Sequence, residues 1–418
     1  MSVFRPFRAI RPRPELAGQV AALPYDTMNS AEARQRAAGN PLSFLHVDKA
    51  EICLPEDTGL YDDVVYEAAV ANLQKMRDEG VYVQDRQARF YIYRQNWRGR
   101  TQTGLVGCAA IDDYRNNIIK KHELTHPEKE TDRIRHVTAC NANTGPIFLL
   151  YRDGQGVAAM LDEWCDTHER ECEFVGPGGA MQTIWPITDD HLTEKLQSAF
   201  AATESLYIAD GHHRCASAYH VGMNKRETYP GFTGEEEFNF FLAVAFPARQ
   251  LAIMDYNRVV RDLNGLSSAA FLSRLEALFA VEYFAPAGTP YRPEGTHTFG
   301  MFLDGKWYKL RARRGSFDAR DPVACLDVEI LQKNLLGPVL GVKDPRRDHR
   351  VEFIGGIRGP EELERRCSTP GDMRVAFAMY PTTTDELMAI ADSGNIMPPK
   401  STWFEPKLLS GLFIHELE

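Results

Sequence analysis

One stretch constrains this chain more than any other: Tyr207-Ile208-Ala209-Asp210-Gly211-His212-His213-Arg214-Cys215-Ala216-Ser217-Ala218. Leu206, Tyr207 and Ile208 read as the end of a buried strand, Gly211 as a tight turn, and the small residues from Cys215 onward as a helix packed closely on its neighbour. A strand that delivers a carboxylate into a turn, followed by a helix opening on His, His and Arg, collects free backbone amides, a positive dipole end and a guanidinium fork. That combination is an anion site, best suited to phosphate. Asp-Gly turns and Asp caps also occur where nothing binds. A cap alone, however, gives no reason for two histidines and an arginine in the next three positions beside an apolar strand, and clustered titratable groups at a strand end mark candidate sites.

The second chemical stretch is Lys120-Lys121-His122-Glu123-Leu124-Thr125-His126-Pro127-Glu128. It contains the His-Glu-x-x-His pattern of zinc metalloproteases, which binds metal only when both histidines sit one turn apart on a continuous helix. Pro127 directly follows His126, disfavours the helical conformation there, and suits the first turn of a new helix whose Glu128 and Glu130 complement the dipole. The break therefore falls inside the motif, no third ligand stands at a suitable spacing, and no metal-ligand set is assigned. The expectation is a strand or loop over 118–123 that presents Lys121, His122 and Glu123 at its end; a solvated charge run is the alternative for those residue types alone.

Around these stretches the chain reads as α+β. Helices are expected over 61–79, 157–168 and 215–223, and from a Thr188-Asp189-Asp190 cap to Phe200, with a charged helix capped by Asp26 or Ser30 and stopped at Gly39. Strands are expected over 147–151, 183–187 and 239–247, a turn into a strand at 40–47, and a hairpin of 89–93 with 102–110. From about residue 262 the pattern restarts: a Ser267-capped helix to Phe279, a hairpin of 298–303 and 306–311 about Asp304-Gly305, a helix over 327–336, strands at 351–354 and 375–380, and a helix opened by a capping box at Thr383. Two domains follow, 1–261 and 262–418. Lys400-Ser401-Thr402 is similar to the end of a Walker A loop, but Pro398-Pro399 stands where the glycine is required, so there is no P-loop; a rigid segment closing a phosphate-reaching lysine over the site and a surface tail both stay open.

The balance of 48 Lys plus Arg against 58 Asp plus Glu, a formal net charge of -10, argues against a protein that coats nucleic acid or an acidic membrane. Any phosphate is then held by local positive groups. Eight cysteines form no C-x-x-C pair and lie scattered in apolar segments, which suits reduced core residues of a cytoplasmic protein. No apolar run approaches the ~18 residues that span a bilayer, and the Arg- and Pro-rich start has no export-type apolar region.

Pro24-Tyr25-Asp26, the run from Asn40 to Val47, Lys121-His122-Glu123 with Glu130 to Arg133, Ala209 to Arg214, and Met397 to Phe404 together resemble a bacterial family called domain of unknown function ten-fifteen, often labelled SpoOJ/ParA/ParB/RepB-like. That family in turn looks like a remote relative of the free serine kinases, in the superfamily that holds ParB and sulfiredoxin. The resemblance implies a mixed-sheet ParB/sulfiredoxin-like N-terminal core with a second α+β domain behind it. It also implies an Asp-Gly-His-x-Arg loop that cradles nucleotide phosphates and a glutamate base that activates a serine hydroxyl. Carried over, Asp210, Gly211, His212, His213 and Arg214, with Lys121, bind the nucleotide, while Glu123, Asp210 and His212 are catalytic, Glu123 as the base. Sulfiredoxin needs a cysteine before its His-Arg, whereas Cys215 follows Arg214 here, and no DNA-binding helical region of ParB type is present. The implied activity is phosphoryl transfer from ATP or ADP, with Mg²⁺, to a small hydroxyl compound, L-serine first, with no nucleic-acid or membrane partner and homodimer formation left open. Two other readings remain: a ParB-like nucleotide-binding switch without kinase activity, and a zinc hydrolase working through His122 and His126.

Overall fold

The computed structural model describes residues 2–345 and 347–418. They form two compact units of mixed α and β structure, one running to Leu251 and including Pro406–Glu418, the other Ala252–Glu405. The C-terminal segment joins the first unit through strand pairing: His415–Glu416 pairs with Ala142–Asn143, and Ala22 and Ile10 exchange backbone hydrogen bonds with Ser410 and Ile414. Two consecutive segments, 1–261 and 262–418, have no place for this return, which no local sequence signal announces.

The first unit is built on a mixed nine-stranded sheet. Its spatial order is Ile119–Lys120, Leu206–Asp210, Ile147–Tyr151, Phe240–Pro247, Arg100–Ala110, Tyr91–Trp97, Met181–Pro186 and Cys172–Val175, with Phe4–Arg5 paired to Arg100–Ala110. Leu206–Asp210 runs parallel to Ile119–Lys120, and Phe240–Pro247 parallel to Ile147–Tyr151; the other pairings are antiparallel. Phe240–Pro247 is buried at every residue, which is why it reads as a continuous apolar run rather than an alternating one. The hairpin of Tyr91–Trp97 and Arg100–Ala110 turns on Arg98 and Gly99, both at positive φ (48° and 76°), the geometry whose twist matches that of paired strands. Core residues such as Leu149, Ile208, Phe241 and Phe200 are fully buried, each contributing about 1.5–3 kcal/mol.

Helix boundaries follow their caps. Asn29, rather than Asp26 or Ser30, caps Ser30–Ala37 through a reciprocal box with Glu32, Asp189 caps Asp190–Ala201, and Thr383 with Glu386 caps Thr384–Asp392. The run 40–47 differs from its expected strand: Leu45–Asp48 is a single helical turn that buries Leu45, Val47 and Asp48. The helix after the Gly211 turn is longer than expected, His212–Thr228, because the polar His212 and His213 form its first turn. No helix among the described residues is long and apolar enough to cross a membrane.

The second unit carries a six-stranded antiparallel sheet in the order Phe279–Pro286, Lys306–Ala312, Thr298–Leu303, Val375–Ala378, Tyr256–Val260 and Val351–Gly355. Phe279 opens a strand instead of closing the preceding helix, which ends at Leu275. Asp327 is the notable charge here. Its Oδ1 accepts the His297 amide at 2.7 Å while Oδ2 is buried without a partner, and burial pushes its pKa from 3.8 up to about 8 against that hydrogen bond. Between those values the folded protein holds a proton that the unfolded chain releases, so stability falls as pH rises through the window. Asp327→Asn is expected to leave stability unchanged near pH 4 and to raise it at pH 8 to 9 by on the order of 2 kcal/mol, read from urea unfolding at both pH values.

Candidate active site

Leu206–Asp210 lies between a parallel and an antiparallel neighbour, and its register with Ile147–Tyr151 shifts between Ile208 and Asp210. The chain then turns at Gly211, whose φ of +92° is open to glycine and strained for other residues. The helix His212–Thr228 starts immediately, with no side-chain cap. Its first-turn amides therefore point out of the turn without an intrahelical acceptor, at the positive end of a 17-residue helix.

Parallel pairing brings the second motif to the same place. Leu206 pairs with Ile119 and Tyr207 with Lys120, so both strands end on the same edge and the residues that follow each emerge side by side. The His122 and His212 rings meet edge to face with centroids 4.5 Å apart, and Glu123 Oε2 lies 3.7 Å from His212 Nδ1. His122 and His212 are buried, whereas the Glu123 side chain is 58% exposed. Burial lowers the pKa of His122 to about 4, against the favourable charge of Asp210. Burial, reinforced by His122, His213 and Lys121, holds His212 well below the usual histidine range. Both rings are neutral at pH 7. His213 Nε2 accepts the His126 amide at 2.9 Å, which ties the loop carrying Glu123 to the first turn of the helix. His126 itself is the non-helical residue before Pro127–Cys140, so the His-Glu-x-x-His pattern does not lie on one helix. Lys121 Nζ lies 5.2 Å from the Tyr114 ring centroid, and its charge reaches His212, where it disfavours the imidazolium.

Arg214 is oriented by groups that sequence reasoning assigned no role. Its Nη2 donates to Asp48 Oδ2 at 2.8 Å and to Ser410 Oγ at 3.2 Å, and its guanidinium lies 5.0 Å from the Tyr25 ring centroid, a ring that Arg133 also approaches, at 4.1 Å. Asp48 is buried and takes a second hydrogen bond from Thr144 Oγ1 at 2.9 Å. Burial alone would raise its pKa; Arg214, His136 and Arg133 outweigh that and hold it well below the usual carboxylate range. Gly145 makes room for this arrangement, since a Cβ there would lie 2.8 Å from Ser410 Oγ and 2.9 Å from Arg214 Cζ. Asp210 Oδ2 receives Lys407 Nζ at 2.8 Å and Oδ1 its own turn amide from Gly211 at 2.9 Å. Against its burial these keep it ionised, below the usual range.

The structure thus gathers Glu123, Asp210, Gly211, His212, His213 and Arg214 about one turn. Asp48 follows the 40–47 motif by one residue and Lys407 lies three residues past the Met397–Phe404 motif, so the signal for both was adjacency to recognised motifs. Lys400 belongs to the second unit, where its Nζ is 5.6 Å from the Tyr256 ring centroid and its carbonyl accepts from Arg258.

Residues 4–329 match the family described as Protein of unknown function (DUF1015). No curated protein matches the chain. Similar solved structures include a conserved hypothetical protein from Pyrococcus furiosus, 14% identical, covering 74% of this chain and 94% of that one with a TM-score of 0.34. Free serine kinase in complex with AMP is 13% identical, covering 74% and 91%, with a TM-score of 0.32. C-terminally truncated SbnI from Staphylococcus aureus is 14% identical, covering 73% and 85%, with a TM-score of 0.35. Likeness at this level carries no functional weight.

Proposed function

The chain belongs to the DUF1015 family, and we propose that it transfers a phosphoryl group from ATP or ADP to a small hydroxyl compound, with L-serine the first candidate. One observation carries this reading. Two motifs nearly ninety residues apart in sequence, each of which the resemblance to free serine kinases singles out, meet at an uncapped helix start with Glu123 Oε2 3.7 Å from His212 Nδ1. The kinship to ParB and sulfiredoxin belongs to the same proposal.

The nucleotide supplies the phosphoryl group; the chain has only to hold it, neutralise its charge and deprotonate the acceptor. The residues fit a polyphosphate. The first-turn amides of His212, His213 and Arg214 and the helix dipole offer an anion cradle, and Gly145 leaves space for the Arg214 guanidinium beside it. Asp48 and Ser410 fix that guanidinium before any ligand arrives, which reduces the ordering cost of binding. Asp210, kept ionised, is the carboxylate at the turn suited to the Mg²⁺ that accompanies nucleotide phosphates. Lys407 holds Asp210 in place and adds positive charge. Glu123, on the exposed side of the cluster, takes the acceptor's proton. Neutral His212 beside it contributes a hydrogen bond without a competing positive charge.

The direct test is ³¹P NMR of the protein with ATP or ADP, Mg²⁺ and a panel of small alcohols headed by L-serine. A new phosphomonoester signal with matching loss of donor is the expected result. Nucleotide binding without a product from any acceptor would replace the transferase reading with a nucleotide-dependent switch.

A further inference from the structure

We propose that His122, His212 and Glu123 form a binding site for one divalent transition-metal ion. The starting point is an imbalance in hydrogen bonding. His122 is 1% and His212 5% exposed, yet neither His122 ring nitrogen makes a well-formed hydrogen bond, and His212 Nε2 makes none. The Ile208 backbone is close enough to one His122 nitrogen to act as a weak hydrogen-bond partner that favours the charged ring, which accounts for at most one of its two nitrogens. Buried polar atoms left this way cost free energy, and one ion takes one nitrogen from each ring.

Geometry supplies the second observation. One donor atom from each of His122, Glu123 and His212 lies within 4.8 Å of the other two, and Glu123 Oε2 to His212 Nδ1 is 3.7 Å. Two donors on one ion at ~2.1 Å lie roughly 3 to 4.2 Å apart, so side-chain movement of under about 1 Å closes the set. The chemistry is that of two imidazoles and one carboxylate, which suits Zn²⁺, Fe²⁺ or Co²⁺ and leaves coordination positions open. The parallel pairing of Ile119–Lys120 with Leu206–Asp210 holds the ligands together, because it fixes where both following turns begin.

This is not the His-Glu-x-x-His arrangement. His126 is outside the set, its amide bound to His213. The nearest competitor among the described residues is His46 with the exposed Cys53, Nδ1 to Sγ 3.2 Å, which offers two donors and no third.

The inference stands on these contacts and not on phosphoryl transfer. Metal binding without transfer leaves it intact, and transfer by metal-stripped protein leaves the transferase reading intact. The test uses the full chain, stripped with chelator and titrated with Co²⁺ and Zn²⁺. The expected result is one equivalent retained, with Co²⁺ bands of nitrogen and oxygen ligation. His122→Ala and His212→Ala are each expected to weaken binding by at least ~100-fold, while Cys53→Ser leaves it unchanged; circular dichroism establishes that each variant is folded. Where a histidine variant does not fold, the Co²⁺ spectrum of the unaltered protein decides. No retained ion, a thiolate charge-transfer band, or binding that survives both histidine changes and disappears in Cys53→Ser overturns the proposal.

Discussion

Glu123→Gln is expected to slow phosphoryl transfer by ~10²- to 10⁴-fold, the usual loss when a general base is removed, while nucleotide binding is kept. The separation follows from where the groups lie. Glu123 projects from the loop after Ile119–Lys120, whereas the amides, Arg214 and Lys407 proposed to hold phosphate belong to the turn, its helix and the C-terminal segment. Gln preserves the shape and one acceptor oxygen but cannot take a proton at neutral pH. The measurement is kcat beside the nucleotide dissociation constant: a fall in kcat with an unchanged constant identifies the base, and full activity in the variant removes Glu123 from that role. A change in nucleotide affinity equal to the change in kcat would instead mean that Glu123 acts through binding.

Asp48→Ala carries the largest expected loss of stability, ~3–5 kcal/mol, because it leaves the Arg214 guanidinium buried without its carboxylate. The pair is 2.8 Å apart, Asp48 is fully buried at its side chain and Arg214 nearly so, and Thr144 Oγ1 loses its acceptor with it. Urea unfolding at pH 7 measures the loss. The sign of its pH dependence is fixed by the direction of the shift. The folded protein holds the Asp48 pKa below its ordinary value of 3.8, so this stabilisation is complete above about pH 5 and is lost as pH falls through and below that ordinary value. The difference between the protein and the variant should therefore narrow as the solution is acidified from pH 5 to pH 3. A constant difference across that range would show that packing, not the charge pair, accounts for the loss.

Much of this site was legible in one dimension because local chemistry specifies it. Asp-Gly before a run of small residues announces a strand, a turn and a helix, and the structure has Leu206–Asp210, Gly211 at positive φ and His212–Thr228. Pro127 correctly argued against a continuous helix through His122 and His126. What sequence could not give were long-range partners. His122 meets His212 only because two strands pair in parallel, and Arg214 meets Asp48 across 166 positions. No periodicity encodes such distances, and Asp48 in particular was hidden by reading 40–47 as extended when its apolar residues bury themselves through one helical turn. The return of Pro406–Glu418 to the first unit was hidden for the same reason, since its two-residue strand is defined by its partner alone.

The central claim is that the turn at Asp210 to Arg214 holds nucleotide phosphates, and a thermal-shift titration tests it most directly. ATP, ADP, CTP and GTP with Mg²⁺ are compared on the unaltered protein and on Arg214→Ala, each against its own ligand-free midpoint, since a ligand at 100 times its dissociation constant stabilises by about 2.7 kcal/mol. A rise with at least one nucleotide that disappears in Arg214→Ala is the expected result. A rise of equal size in Arg214→Ala, or none with any nucleotide in the unaltered protein, would contradict it.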